Sequence, residues 1–338
     1  MPKRPTINDV AKLAKVSKST VSKYLNDTPY VSAETKKKIE KAIEELDYYP
    51  SSVARGLVSK SINLIALVIS DVELLNNFLL IKNIEREANK YGYDIVLVTT
   101  NDDVQVEKNL NQILTERYKH VDGIILAIAR ENGVDLESLK QSFAHIVLVH
   151  RYIPNDIIDH VSIDNYMGGK LVAEYLIRMG HDTFAIISGP TEIYPYKDRV
   201  KGFTETLTNN GFSNSYTVVE DGQTLDSAYQ ATEKLMTSSM PPTSIFATSD
   251  LLAFGVLDAA KDYGWKIPEE LSLIGFDNVF FSRLSRIPLT TIDGQFEALG
   301  KKSVQLLVDR MENGDKKVEQ IFLQPSLIVR ESCKNFNK

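Results

Sequence analysis

Two sets of residues have the types and spacing to do chemistry, and both sets suggest binding rather than catalysis. The first is Lys18, Ser19, Ser22 and Lys23, which share one side of a helical stretch whose other side carries Val21 and Leu25. Ammonium and hydroxyl groups on one face can donate to phosphate oxygens and to base edges. The second set stands where apolar runs give way to helical ones: Asp164 with Asn165, Arg199, Ser249 with Asp250, and Asp277 with Asn278. Carboxylates, amides and a guanidinium can hold the hydroxyls of a sugar-like ligand, usually with an aromatic ring against its apolar face. Strand ends of an open sheet are where such ligands bind. Asp164 and Ser249 are equally well placed to cap the helices that follow, so capping is the competing reading for each alone. No P-loop, Gly-x-Gly-x-x-Gly, Gly-x-Ser-x-Gly or metal-ligand spacing occurs. The five histidines (His120, His145, His150, His160, His181) are dispersed and suit structural or surface roles. Cys333 is the only cysteine and reads as an ordinary thiol. An enzyme is not expected, nor a metal or cofactor.

The elements that must position these groups fall into two parts. In the first, Thr6 and Asp9 have capping-box spacing ahead of an apolar face made by Ile7, Val10, Leu13 and Ala14. A break at Lys15-Val16-Ser17 leads into the helix of Lys18–Asn26. A third helix is predicted to start at Ser32 with Ile39, Ala42, Ile43 and Leu46 as its buried stripe, stopping before Pro50. Two short helices joined by three residues make a helix-turn-helix, whose second helix can enter the major groove. A three-helix bundle used only for protein contacts is the alternative. Residues 1–61 hold 12 Lys/Arg against 7 Asp/Glu, a net of +5, whereas the remainder holds 27 against 38, a net of −11. A basic head on an acidic body suits a module that meets phosphates.

From Ile62 onward, apolar runs (64–69, 93–98, 123–128, 146–149, 184–187, 244–247, 271–276) alternate with helical stretches near 78–91, 105–119, 166–179, 197–210, 225–238 and 251–263. Such alternation predicts parallel sheets covered on both faces, here two doubly wound subdomains with a cleft between them. No apolar run approaches the roughly 20 residues of a membrane span. The basic N-terminus lacks the apolar stretch of a signal peptide, so a cytoplasmic protein is expected.

The motifs Thr6-Ile7-Asn8-Asp9-Val10-Ala11, Val16-Ser17-Lys18-Ser19-Thr20-Val21-Ser22-Lys23 and Tyr30-Val31-Ser32-Ala33-Glu34-Thr35 resemble the headpiece of LacI/GalR repressors. The remainder, including Pro288-Leu289-Thr290-Thr291-Ile292 and Val329-Arg330-Glu331-Ser332-Cys333, resembles that family's periplasmic-binding-protein type I sensor core. The resemblance implies that Lys18, Ser19 and Lys23 read bases and that Thr6, Ser17, Ser22, Asn26 and Tyr30 contact the phosphate side. Pro50–Val58 resembles the hinge helix, which assigns Ala54 and Leu57 to DNA, Leu57 as a wedge in the minor groove. It implies domains at 1–49, a hinge at 50–61, and a core of 62–338 whose N-subdomain spans 62–162 and 292–321. The C-subdomain would span 163–291 and 322–338, with crossings near Ser162, Thr291 and Phe322.

Pocket residues implied by the resemblance are Asp164, Arg199, Ser249, Asp277 and Phe296, with Asp250 beside them. Departures from the family stand at Asp71–Phe78 and at Gly222, where a stacking aromatic is frequent; Tyr194, Tyr196 and Phe296 are the substitutes. Lys197 adds a positive charge to a pocket loop, which fits an acid group on the effector, such as a sugar acid or sugar phosphate; the competing reading is that Lys197 points to solvent. The expected protein is a repressor of a carbohydrate-utilisation operon. Its partners would be palindromic double-stranded operator DNA, a second copy of itself and a carbohydrate-type effector. A regulator whose co-effector is a phosphorylated phosphocarrier protein is the second reading. No leucine-heptad run closes the sequence, so a homodimer is the expected assembly.

Overall fold

The computed structural model describes residues 5–25, 31–48 and 62–337, except 129, 155, 221 and 315. Two compact units divide the chain after Ile62. In the first, α1 (Ile7–Ala14) is opened by Asp9, whose Oδ2 accepts from both the backbone N–H and the hydroxyl of Thr6. A left-handed Lys15 (φ 54°) ends α1 and starts the turn. The Ser17 hydroxyl then accepts from the Thr20 N–H, capping α2 (Lys18–Leu25). Ser32 caps α3 (Ala33–Glu45) in the same way, through Thr35 N–H. Val10, Ala14, Val21, Ile39 and Ala42 from the three helices, with Tyr48, close a small core.

The second unit holds two six-stranded sheets. In chain order its first elements are β1 (Leu64–Ile69), α4 (Leu75–Lys90), β2 (Asp94–Thr99), α5 (Val104–Lys108), α6 (Leu110–Arg117), β3 (Gly123–Ala127), α7 (Leu136–Ser142), β4 (Ile146–Val149) and β5 (Asp159–Ile163). There follow α8 (Asn165–Arg178), β6 (Phe184–Ser188), α9 (Tyr194–Asn209), β7 (Tyr216–Glu220), α10 (Leu225–Met236), β8 (Ser244–Ala247), α11 (Asp250–Tyr263) and β9 (Ser272–Asp277). A 3-10 turn (Phe280–Arg283), β10 (Thr290–Asp293), α12 (Phe296–Asn313), β11 (Gln320–Leu323) and β12 (Leu327–Ile328) complete it. The first sheet runs β11-β5-β4-β3-β1-β2 and the second β12-β10-β9-β8-β6-β7, with only the β10–β12 pair antiparallel. The central strands β1, β3 and β9 are buried almost throughout, as strands covered by helices on both faces must be.

The chain crosses between lobes after Ile163, Asp293 and Leu323, one or two residues beyond the positions the family resemblance implies. Thr290–Asp293 stays with the second lobe because it pairs with β9, and Gln320–Leu323 stays with the first because it pairs with β5. The stretch near 105–119 is two helices, α5 and α6, broken at Asn109. The lobes meet with the C-terminal ends of their parallel strands facing one cleft, which puts strand-end residues opposite one another.

Candidate functional site

On the head, α2 buries Val21 completely and exposes Lys18, Ser19 and Lys23, with Ser22 half-buried. Thr6 and Ser17 are exposed at the N-terminal ends of α1 and α2, where backbone N–H groups and the helix dipole favour an anion. Both hydroxyls are already engaged, that of Thr6 donating to Asp9 and that of Ser17 accepting from the Thr20 N–H. Asn26, Tyr30, Ala54 and Leu57 lie outside the described residues.

In the core, Arg199 is built into place by a helix contact. A Cβ on Gly169 would lie 2.1 Å from the Arg199 carbonyl oxygen, and one on Gly202 would lie 2.0 Å from that of Tyr166. Only glycine at both positions lets α8 and α9 approach this closely. The Arg199 side chain, 2% exposed, donates from Nε to Asn165 Oδ1 (2.8 Å) and from Nη1 to the Thr248 carbonyl (2.6 Å). Its guanidinium lies 3.6 Å from the Phe276 ring centre. The same Nη1 stands 3.6 Å from Asp277 Oδ1, which is buried with no hydrogen-bond partner. Asp277 holds φ at 112°, a region an L residue enters at a cost of about 1–3 kcal/mol. Burial pushes its carboxyl up to about 7 although Arg199 pulls the other way. A strained carboxylate with an unused oxygen beside a fixed guanidinium is an acceptor–donor pair for a hydroxyl-bearing ligand.

Asp250 was grouped with these ligand-facing residues, but its carboxylate is engaged elsewhere. Its Oδ2 accepts from Val279 N–H (2.9 Å) and its Oδ1 from the Thr291 hydroxyl (2.6 Å), fixing the loop after β9. Full burial, with Asp277 nearby, raises its carboxyl to about 8. The folded protein therefore keeps a proton that the unfolded chain releases near 3.8. Stability from this group is greatest at acid pH and is lost as pH rises towards the folded value. Asp250→Asn keeps one acceptor for Val279 and can donate to Thr291. Thermal melts between about pH 5 and 9 should show the variant gaining on the parent as pH rises. A constant difference would remove Asp250 as the titrating group.

The other predicted residues take several places. Ser249 and Asp277 line the void between the lobes, with Tyr196, Gln223, Leu74 and Asn76. That void is only about 10 Å³, room for about one water molecule, so the cleft is closed. Asp164 and Ser249 both cap helices, accepting from Met167 N–H (2.9 Å) and Leu252 N–H (3.3 Å). Tyr194 and Lys197 stand at the rim. Lys197 is half-exposed, 3.7 Å from Glu131 and over the Tyr194 ring. Phe296 is packed in the first lobe's core, with its ring 5.5 Å from that of His150. His150, His160 and His181 are buried, and desolvation first of all lowers each, the last two to about 4. Cys333 is a packed thiol donating to the Leu273 carbonyl.

A charged clasp across the cleft escaped the sequence reading. Asp102 of the first lobe accepts from Arg151 Nη1 (3.0 Å) and from Gln223 Nε2 (2.9 Å), and Arg130 Nη2 is 2.8 Å away. Gln223 Oε1, from the second lobe, accepts from Arg151 (3.0 Å) and from the Tyr196 hydroxyl (3.1 Å). Arg130 also reaches across to Glu192 at 2.8 Å, and the Tyr152 hydroxyl donates to Asp198. Asp102, Arg130, Arg151, Glu192 and Gln223 each follow a strand by a few residues. That position just beyond a strand is the signal in the sequence that marks them. Among the described residues no group of three or more His, Cys, Asp or Glu is placed to hold a metal, and no helix is long and apolar enough to cross a membrane.

A helix-turn-helix with a polar, basic second helix and a two-lobed core closing on a buried Arg–Asp pair define a ligand-responsive DNA-binding regulator. Residues 6–51 match the model for bacterial regulatory proteins of the lacI family, and residues 173–333 match that for a periplasmic binding protein-like domain. The chain is 35% identical to the ribose operon repressor of Halalkalibacterium halodurans over 97% of both chains. To the HTH-type transcriptional repressor PurR of Pasteurella multocida it is 33% identical over 98% of this chain and 99% of the other. To catabolite control protein A of Priestia megaterium it is 35% identical over 94% and 96%. Among solved structures, the lac repressor dimer bound to operator and the anti-inducer ONPF superposes with a TM-score of 0.88 at 26% identity, covering 98% of this chain and all of that one. A LacI family regulator from Enterococcus faecium with bound ribose matches at 0.72 and 25% identity, over 81% of this chain and all of that one. The chain belongs to the LacI family and is a DNA-binding transcription regulator.

Proposed function

We propose that this protein is a homodimeric repressor that grips a palindromic operator through α2 and releases or retains it according to a small polyhydroxylated effector in the cleft. The observation that carries the effector half is Asp277. It is strained and buried, with one oxygen unused, beside the fixed guanidinium of Arg199 at the mouth of the second sheet. The ribose named for one relative and for one bound structure supports a sugar-sized ligand. Opening or closing of the lobes would couple that ligand to DNA affinity, and the coupling is reciprocal. Domain boundaries at 1–49, 50–61 and 62–338, and the wedge role of Leu57, belong to the same proposal.

The test is operator binding, followed by fluorescence anisotropy on the DNA flanking the protein's own gene. Pentoses and hexoses are added in turn. Lys18→Ala and Lys23→Ala should each weaken binding and lower the slope of log affinity against log salt by about one where the ammonium meets phosphate. Unchanged slopes in both would remove those lysines from the phosphate contacts. Operator affinity that responds to a phosphorylated phosphocarrier protein and to no sugar would replace the small-effector reading.

A further inference from the structure

The clasp contains charges that a neutral sugar would not need. Arg130 and Arg151 flank Asp102 and are almost wholly buried on the first lobe, their side chains 9% and 4% exposed. Another first-lobe neighbour is Glu107, completely buried, 3.5 Å from Arg130 Nε and with neither carboxylate oxygen hydrogen-bonded among the described residues. Burial above all drives the Glu107 carboxyl upward, towards its uncharged form. The two guanidinium groups are thus incompletely neutralised by their own lobe. What completes them comes from across the cleft: the Glu192 carboxylate on Arg130 Nη1 and the neutral amide of Gln223 on Arg151 Nη2. Glu192 is half-exposed and makes this one cross-cleft ion pair, the kind that water and salt readily replace. When the lobes part, Asp102, Glu107, Arg130 and Arg151 stay together, whereas Glu192 and Gln223 leave with the second lobe. Two buried guanidinium groups are then left without their second-lobe partners, one of which, Gln223, lines the void between the lobes. One carboxylate stands between the guanidinium groups, and planar forks of this kind suit carboxylate and phosphate oxygens.

We infer that the effector carries an anionic group, a carboxylate or a phosphate on a sugar-sized body, which takes the place of Glu192 on Arg130 and of Gln223 on Arg151. The inference rests on the reading of the cleft as a site for a small polyol, and it moves the acid-binding role from Lys197 to the arginine pair. Lys197 is met by Glu131 at the rim.

Calorimetry on the full chain decides it, with ribose against ribose 5-phosphate, and glucose against gluconate and glucose 6-phosphate. Inorganic phosphate serves as the smallest probe, at constant ionic strength. An anionic member should bind at least about tenfold more tightly than its neutral counterpart, a difference of about 1.4 kcal/mol. Preference for gluconate or for the phosphates tells which anion is meant. Glu192→Ala removes the internal competitor from an exposed position. It should tighten the anionic ligand several-fold and weaken the neutral one, because the clasp loses a contact. A purely structural clasp would weaken both. Neutral sugars binding as tightly as anionic ones, or Glu192→Ala weakening both alike, would overturn the anion site and leave the polyol cleft standing. No binding by any sugar, with no response of Glu192→Ala to inorganic phosphate, would overturn both.

Discussion

Arg199→Met is expected to lose the effector response entirely and to cost about 3–5 kcal/mol of stability at mildly alkaline pH, the cost of removing one member of a buried charge pair. Methionine fills much of the same volume, so the packing loss is small. The loss comes from Asp277, which is left without its cation, and from the Asn165 amide and Thr248 carbonyl, which lose their donors. The cost depends on pH. Asp277 already titrates near 7 in the intact protein, well above an ordinary carboxylate, because desolvation outweighs Arg199. Without Arg199 its folded value rises further, and below that value the carboxyl is neutral and tolerable. Stability of the variant therefore falls as pH rises through the window above 4 and goes on falling past 7, where the parent has levelled off. Adding Asp277→Asn should recover most of the alkaline loss while leaving effector binding absent. Denaturant titrations at about pH 5.5 and 8 measure both terms. If the double variant is no more stable than Arg199→Met at the higher pH, the two side chains are not the coupled pair described here.

The parts of this protein that the sequence displayed most clearly were those with a local physical cause. The start of α1 shows in the capping-box spacing of Thr6 and Asp9, the turn to α2 shows in the break at Lys15-Val16-Ser17, and the strands β1, β3 and β9 show as unbroken apolar runs. β5, β7 and β11 were missed because Asp159-His160, Glu220 and Gln320 stand at their ends and leave only three or four less polar residues each; pairing with neighbouring strands makes them strands. α12 was not among the helices expected from the sequence, and Gly300 lies inside it. There a Cβ would come within 2.9 Å of the backbone of Asn83, so the glycine marks a helix–helix contact rather than a break. The site divides in the same way. Arg199, Ser249 and Asp277 follow strands that were recognised as apolar runs, so their positions could be read. Asp250 has the right position but the wrong direction, since its orientation depends on Val279 and Thr291, 29 and 41 residues away. The clasp residues each follow a strand, a local position, but their pairings join residues up to 121 positions apart and are set by the tertiary fold.

Val21→Asp tests whether the head and the core are separate folding units, as the division after Ile62 indicates. Val21 is completely buried among Val10, Ala14 and Ile39, the small core that holds α2 against α1 and α3. A domain of this size has a few kcal/mol of stability at most, and an unpaired carboxylate in its centre costs at least as much. The head should therefore unfold, and operator binding should fall to the level of nonspecific association. The core has its own hydrophobic clusters and shares none of these contacts. Effector affinity should stay within about twofold of the parent and the core's melting transition should not move, because sites with no shared partners are close to additive. Lys18→Ala provides the comparison, since it changes the same helix on its exposed side and should leave the head folded. Calorimetric titration of effector and anisotropy on operator DNA, run on the same preparations, separate the outcomes. Loss of effector binding along with DNA binding would mean the two units fold as one. Operator binding that survives would mean α2 does not rest on Val21 in the way its burial implies.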